Sequence, residues 1–255
     1  MPHLAANLSM MFNEWPFPER FVQARKAGFA AVEYLFPYDH PPEDIGTALH
    51  DNGLTQVLFN LPPGDWAAGD RGIAANPARK EEFRLGMLTA LRYAAMTGTK
   101  RLHVMSGHGS HNDTAARSAY LDSLRFACDL AGPKGIDILI EPINSRDMPG
   151  YFMNDFNLAT DLIAEIDLPN LRLQFDIHHR QIIQGDVLMG LKKLLPLIAH
   201  VQIASVPARH EPGTGELDDF RLLRELDELG YTGFVGCEYR PAGATLEGLG
   251  WRAKL

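Results

Sequence analysis

Apolar residues along this chain follow two rhythms that take turns. Short runs that are continuously apolar or alternate with period two, HLAANLS, AAVEYLF, TQVLFN, RLHVMSG, IDILIEPI, LRLQFDI, HVQIAS and GFVGCEY, are separated by longer stretches in which apolar residues recur every three or four positions. The first rhythm predicts eight strands and the second predicts helices between them. Segment 76–98 carries the fullest set of helix signals, with Asn76 placed to cap, Pro77 in the first turn and Gly98 to close. Further helices are expected to begin near Pro18, Pro42, Asp113, Asn154, Arg180 and Asp218. Strand and helix alternating from end to end imply parallel strands joined by right-handed crossovers. Eight such units close most naturally into one (β/α)8 TIM barrel, here a single domain over residues 1–255. An open doubly wound sheet would carry a Gly-rich phosphate loop after its first strand, and NLSMMFNEW is no such loop. The connection PPGDWAAGDRGIAA, residues 62–75, is long for its place and contains Trp66; it reads as a lid or as an ordinary surface loop.

Within the strands, the polar positions break the apolar filling normal for a barrel interior. If Ile136, Ile138 and Ile140 face the helices, Glu141 faces inward at the strand's carboxyl end. The same alternation turns Gln174 and Asp176 inward opposite Leu171, Leu173 and Phe175, Gln202 inward between Val201 and Ile203, and Glu238 inward after Val235 and Cys237. Four consecutive strands thus deliver oxygen ligands to one rim, where barrel active sites lie. Three carboxylates in one mouth repel strongly at low dielectric, and a divalent cation is the simplest remedy. Glu141, Asp176, Gln202 and Glu238 therefore read as an all-oxygen site, suited to a hard ion, Mg²⁺ or alternatively Mn²⁺, better than to Zn²⁺. The plainer alternative is that each acid pairs with an arginine or caps a helix.

Charge and composition narrow the partners. Against 32 acidic residues stand 24 Lys and Arg, a formal net charge of −8, and the basic residues form no stripe, so nucleic acid is not expected. Cys128 and Cys237 lack metal or disulfide spacing and read as buried thiols. Neither a signal-peptide pattern nor a bilayer-length apolar run is evident, so a cytoplasmic location without membrane attachment is the default expectation, with a homo-oligomer left open.

The segments IDILIEP, QFDIHH, HVQIAS with its following Arg209 and PGTGELD, and GFVGCEYRP resemble the hydroxypyruvate isomerase family, within the xylose-isomerase-like barrels that also include ketose 3-epimerases. The resemblance runs from Ala5 to the C-terminal region and is most specific in the second half. It implies a divalent metal and Glu141 with Glu238 as the proton-transfer pair. Relatives in the epimerase branch commonly present histidine where Gln202 stands, which again points to Mg²⁺ or a similar ion. The leading expectation is isomerisation of hydroxypyruvate to 2-hydroxy-3-oxopropanoate through an enediolate. A four-carbon 2-oxo-tetronate, 3-epimerisation of a neutral ketose, and a sugar-acid-binding barrel with an inactive site are the other readings. A DNA-repair endonuclease on the same barrel would need a histidine-rich multinuclear site and a basic face.

Substrate contacts are expected from several neighbours. The resemblance places His179 near the substrate, though it could instead cap a helix. Arg209 and Arg146 could each hold a carboxylate bidentately, or be surface arginines. His103 and Asn7 point inward and either line the pocket floor or satisfy one another. Glu33 either reaches the pocket or pairs with a buried arginine. Glu216 and Asp218 read as structural, supporting Arg209 and opening the next helix, and His108 and His111 as exposed turn residues.

Overall fold

The computed structural model describes residues 3–255. Its elements in chain order are β1 (His3–Asn7), α1 (Phe17–Lys26), β2 (Ala31–Glu33), α2 (Pro42–Asn52), β3 (Thr55–Gln56), β4 (Phe59–Asn60), α3 (Lys80–Thr97), β5 (Arg101–His103), α4 (Thr114–Ala131), β6 (Asp137–Ile140), α5 (Phe156–Ile166), β7 (Leu171–Asp176), α6 (Ile177–Ile183), α7 (Val187–Leu194), β8 (Ile198–Ile203), α8 (Asp219–Glu228), β9 (Phe234–Cys237) and α9 (Thr245–Gly248). Every strand pairing is parallel, and β1 sits between β2 and β9. The expected third strand is broken into β3 and β4, and between them the Gln56 Nε2 donates to the Leu58 carbonyl at 2.6 Å, an oxygen that Tyr34 N also meets at 3.4 Å. Val57 N still donates to Val32 O and Leu61 N to His103 O, both at 2.9 Å, so the ring closes through this kinked segment as a (β/α)8 barrel.

Helices form where local signals and burial agree. Helix α5 buries Phe156, Ala159, Leu162, Ile163 and Ile166 on one face, and Asp155 rather than Asn154 caps it by accepting from Asn157 N (2.6 Å) and Leu158 N (3.0 Å). The helix expected near Arg180 begins three residues earlier, because Asp176 caps it through His178 N at 2.7 Å. Outward strand residues such as Ile138, Ile140, Phe175, Val201 and Val235 join the helix faces in one continuous core. Inside the barrel a small apolar cluster of Ala5, Ala31, Val57, Leu58 and Leu139 forms the base. Polar residues sit above it. Both cysteines are buried and unpaired, and burial pushes the Cys128 thiol up to about 12. No helix among the described residues is long and apolar enough to cross a membrane.

Candidate metal and proton-transfer site

Two tiers of polar residues occupy the barrel above its apolar base. The lower tier centres on Glu33. Its Oε1 accepts from Asn7 Nδ2 (3.0 Å) and Gln202 Nε2 (2.8 Å), and its Oε2 faces His200 Nε2 at 2.6 Å. Glu33 therefore reaches the pocket floor, but a histidine and two amides hold it where an arginine had been the alternative. Room for it comes from β9, since a Cβ on Gly236 would overlap the Glu33 carboxylate.

The upper tier is built at the carboxyl ends of β6 to β9, the side to which parallel strands deliver their last inward residues. Glu141, Asp176, Gln202 and Glu238 are all buried there, and Glu141, Gln202 and Glu238 line a cavity of ≈ 220 Å³ together with Asn7, His103, His179 and Arg209. Glu141, Asp176 and His179 present ligand atoms within 4.8 Å of one another, a buried His/Asp/Glu cluster able to coordinate a divalent metal. Glu141 Oε1 has no hydrogen-bond partner among the described residues, and neither has either ring nitrogen of His103, whose Nδ1 lies 3.6 Å from Glu141 Oε2. Buried acceptors are rarely left empty without cost, so these atoms fit a group that the chain does not itself supply. Gln202 Oε1 accepts from Gln174 Nε2 at 2.6 Å, which uses one lone pair of an amide oxygen and leaves the other.

Electrostatics set the acids apart. Burial, reinforced by Glu238 and Asp176, pushes the Glu141 carboxyl well above the usual carboxylate range. Burial pushes Glu238 up to about 8 despite the guanidinium of Arg209. Burial opposes ionisation of Asp176 too, but His179, Arg209 and His178 facing it outweigh that and hold it low. The imidazole of His179, and that of His103, are each taken down to about 3, chiefly by burial, so both are neutral.

Arg209 occupies a loop position with φ of 57°, a left-handed conformation unusual for a non-glycine residue, held by Arg209 N to Ser205 O (3.0 Å) and Arg240 N to Arg209 O (2.8 Å). Its guanidinium contacts Glu238 (3.1 Å), Asp147 (3.2 Å) and Asp176 (3.4 Å). The expectation of a free carboxylate clamp at Arg209 thus meets a side chain already shared among three protein acids.

Arg146 is not brought to the cavity: Asn144 Oδ1 accepts from Arg146 N (3.0 Å) and Asp147 N (2.9 Å), and this turn leaves Arg146 exposed while Asp147 lines the cavity. Asn7 lines the floor but bonds to Glu33, not to His103. His108 and His111 bond to the carbonyls of Gly69 and Phe152, away from the cavity. Glu216 accepts from Gln181 and Asp218 caps α8, so Arg209 gains no support from either.

Alternation had placed the acids but missed Asn144, Asp147 and the mouth residues. The 62–75 loop is pinned at its base by Arg79–Asp70 (2.5 Å) and by Ala75 N to Ser106 O (2.8 Å), and brings Trp66 and Arg71 to the cavity wall, the Arg71 guanidinium 4.0 Å from the Trp66 ring centre. An N-x-x-D turn directly after a strand-end glutamate was the available signal for Asn144 and Asp147.

Residues 21–255 match the family model described as a xylose isomerase-like TIM barrel, the class that this ring and its carboxyl-end acids define. A 2-oxo-tetronate isomerase of Cupriavidus necator is 50% identical over 253 residues, covering 98% of this chain and 97% of that protein. The hydroxypyruvate isomerase of Escherichia coli is 40% identical over 253 residues, covering 98% of each. A crystal structure from Brucella melitensis, described as an AP endonuclease of family 2, superposes with a TM-score of 0.97 at 48% identity, covering 100% of this chain and 99% of that one. The chain belongs to the hydroxypyruvate isomerase and 2-oxo-tetronate isomerase family and is an isomerase of that class.

Proposed function

We propose that this chain isomerises a four-carbon 2-oxo acid of the 2-oxo-tetronate type, moving the carbonyl from C2 to C3, in place of the three-carbon hydroxypyruvate first expected. The higher identity to a relative named for the four-carbon substrate supports that choice. The observation that carries the chemistry is a pair of buried glutamates, Glu141 and Glu238, on one small cavity with their pKa values shifted upward. One takes the proton from C3, the hydroxyl proton on O3 moves to O2 through the enediolate, and the other returns a proton to C2; the roles exchange in the reverse direction. Glu141, Asp176, Gln202 and Glu238 would hold a divalent cation, Mg²⁺ being favoured by the all-oxygen set. When bound, it supplies the positive charge that lets these carboxylates ionise and that stabilises the anionic enediolate. His103 and His179 line the same cavity as neutral imidazoles, placed to hold substrate oxygens.

With Arg209 engaged by acids and Arg146 outside, the substrate carboxylate falls to Arg71 and Arg240. Both line the cavity, and among the described residues neither faces a carboxylate. A net charge of −8 and a small cavity support a small acid over a nucleic acid. The test compares kcat/KM for 2-oxo-tetronate, hydroxypyruvate and a neutral ketose. The four-carbon acid should be preferred, and Arg71→Ala and Arg240→Ala should each raise its KM by about ten- to a hundredfold, the worth of one charge-assisted contact. Preference for the ketose, or KM values untouched in both variants, would defeat the reading.

A further inference from the structure

We infer that Asn144 is a positioning residue that locks His179 as the Nε2–H tautomer, making His179 a hydrogen-bond donor to the reacting oxygens and not a metal ligand. The orientation of the Asn144 amide is fixed by its surroundings. Its Oδ1 accepts two backbone N–H groups, from Arg146 (3.0 Å) and Asp147 (2.9 Å), so its Nδ2 must point the other way. There it donates to Asp147 Oδ2 at 3.1 Å and to His179 Nδ1 at 2.6 Å. The backbone N–H of Asn144 also points at His179 Nδ1, at 3.3 Å. A ring nitrogen that meets two donors presents its lone pair to them, and a neutral imidazole then carries its single hydrogen on the other nitrogen.

The other nitrogen faces the reacting centre. His179 Nε2 lies 3.5 Å from Asp176 Oδ2 and 4.0 Å from the unpartnered Glu141 Oε1, too far for either to be a good hydrogen bond. Arg209 Nη2 is also 3.5 Å away, but it is nearer to Glu238 Oε1, at 3.1 Å, and to Asp176 Oδ2, at 3.4 Å. A metal-bound histidine shows the reverse arrangement, with a lone pair at the metal and the second nitrogen donating to a carbonyl or carboxylate. By spacing, Glu141, Asp176 and His179 form a ligand triangle; by hydrogen bonding, the histidine corner is a donor. The adjacent His178 makes the contrast, since its Nδ1 faces Ser205 O at 3.1 Å and its Nε2 faces Asp147 Oδ2 at 3.2 Å, both acceptors. The hydrogen on His179 stays on its nitrogen and supports charge developing on a substrate oxygen.

The donor role rests on the isomerase reading; the tautomer does not, and the experiment separates them. Long-range ¹H–¹⁵N spectra of histidine-labelled, metal-free protein should show His179 with an unprotonated Nδ1 and a protonated Nε2, and Asn144→Asp should shift the proton towards Nδ1. That variant should lower kcat by about 10²–10³-fold, the scale for one misdirected donor. His179→Gln, which keeps an N–H donor, should retain more turnover than His179→Ala and should bind Mn²⁺ as tightly as the wild type. A protonated Nδ1 in the wild-type protein, or a tenfold or greater loss of Mn²⁺ affinity in His179→Gln, would overturn the inference. A correct tautomer in a protein that turns over no oxo acid would overturn the donor role and the isomerase reading together, with the tautomer still standing.

Discussion

Glu33 and Glu141 are both buried glutamates on the inner face of one barrel, a tier apart, and their surroundings are opposite. Glu33 has each oxygen filled by Asn7, Gln202 or His200. Glu141 has one oxygen with no partner, and its nearest imidazole, His103, is equally unpartnered. A carboxylate whose lone pairs are all met by the chain is part of the scaffold, and one left open is kept for something the chain does not contain. The lower tier also aims the upper one, because the amide that Gln202 gives to Glu33 leaves its oxygen facing Gln174 and the cavity.

The comparison breaks most sharply if the open acids are exchanged. Glu141→Gln and Glu238→Gln should each cost about 10²–10⁴-fold in kcat, the range for a lost general acid or base, while thermal unfolding of metal-free Glu141→Gln stays close to the wild-type temperature because an amide replaces a carboxyl whose ionisation burial already opposes. The closed acid should behave the other way. Glu33→Ala strands His200, Gln202 and Asn7, and should cost about 3 kcal/mol in urea unfolding, the scale for breaking one member of a buried polar set. Gly236→Ala should destabilise by the same route, since its methyl group displaces Glu33.

A third prediction concerns protons. In the metal-free protein Glu238 is pushed up to about 8 by burial, and Glu141 is raised as well, so a dication must displace protons to bind. Divalent-metal affinity should therefore rise with pH by about tenfold per unit for each proton released, the Glu238 contribution levelling off above about pH 8. Calorimetry in two buffers of different ionisation enthalpy reads the proton count directly, and an affinity flat from pH 6 to 8 would count against the protonated acids.

The smallest effect sharpens the comparison with a control. Asp219 is buried, its Oδ2 accepts from Gly213 N at 2.7 Å, its Oδ1 has no partner, and burial raises it to about 6, yet it lies outside the cavity. An acid whose pKa is higher folded than unfolded stabilises the fold while protonated, and that contribution is lost as pH rises from the unfolded value of 3.8 through about 6. Asp219→Asn should thus stabilise by roughly 1–2 kcal/mol at pH 7.5 and by less at pH 5, with turnover unchanged. A loss of turnover would mean that an unfilled oxygen alone marks function wherever it sits.

Alternation made the upper tier legible because a strand side chain has only two directions, and knowing that Ile138, Leu173, Val201 and Val235 face the helices places Glu141, Asp176, Gln202 and Glu238. No such rule governs loops. Arg146 and Asp147 are neighbours in sequence, and which of them enters the cavity is decided by the turn at Asn144, which has no periodic signature. Arg209 lines the cavity, but its partners were not legible, because Asp147, Asp176 and Glu238 come from three other parts of the chain. The break between β3 and β4 coincides with a side-chain bond from Gln56 to the Leu58 carbonyl, which alternation does not announce. The partners of Glu33 were likewise out of reach, since His200 and Gln202 lie at the far end of the chain and meet it only once the barrel closes.

Two clusters of ligand atoms lie within reach of each other, Glu141 with Asp176 and His179, and Asp147 with His178 and His179. Anomalous scattering from a crystal soaked in Mn²⁺ distinguishes them. A single peak ringed by Glu141, Asp176, Gln202 and Glu238, with His179 outside the coordination sphere, is the expected result. A peak seated on Asp147, His178 and His179, with Glu141 and Glu238 unligated, would contradict the account.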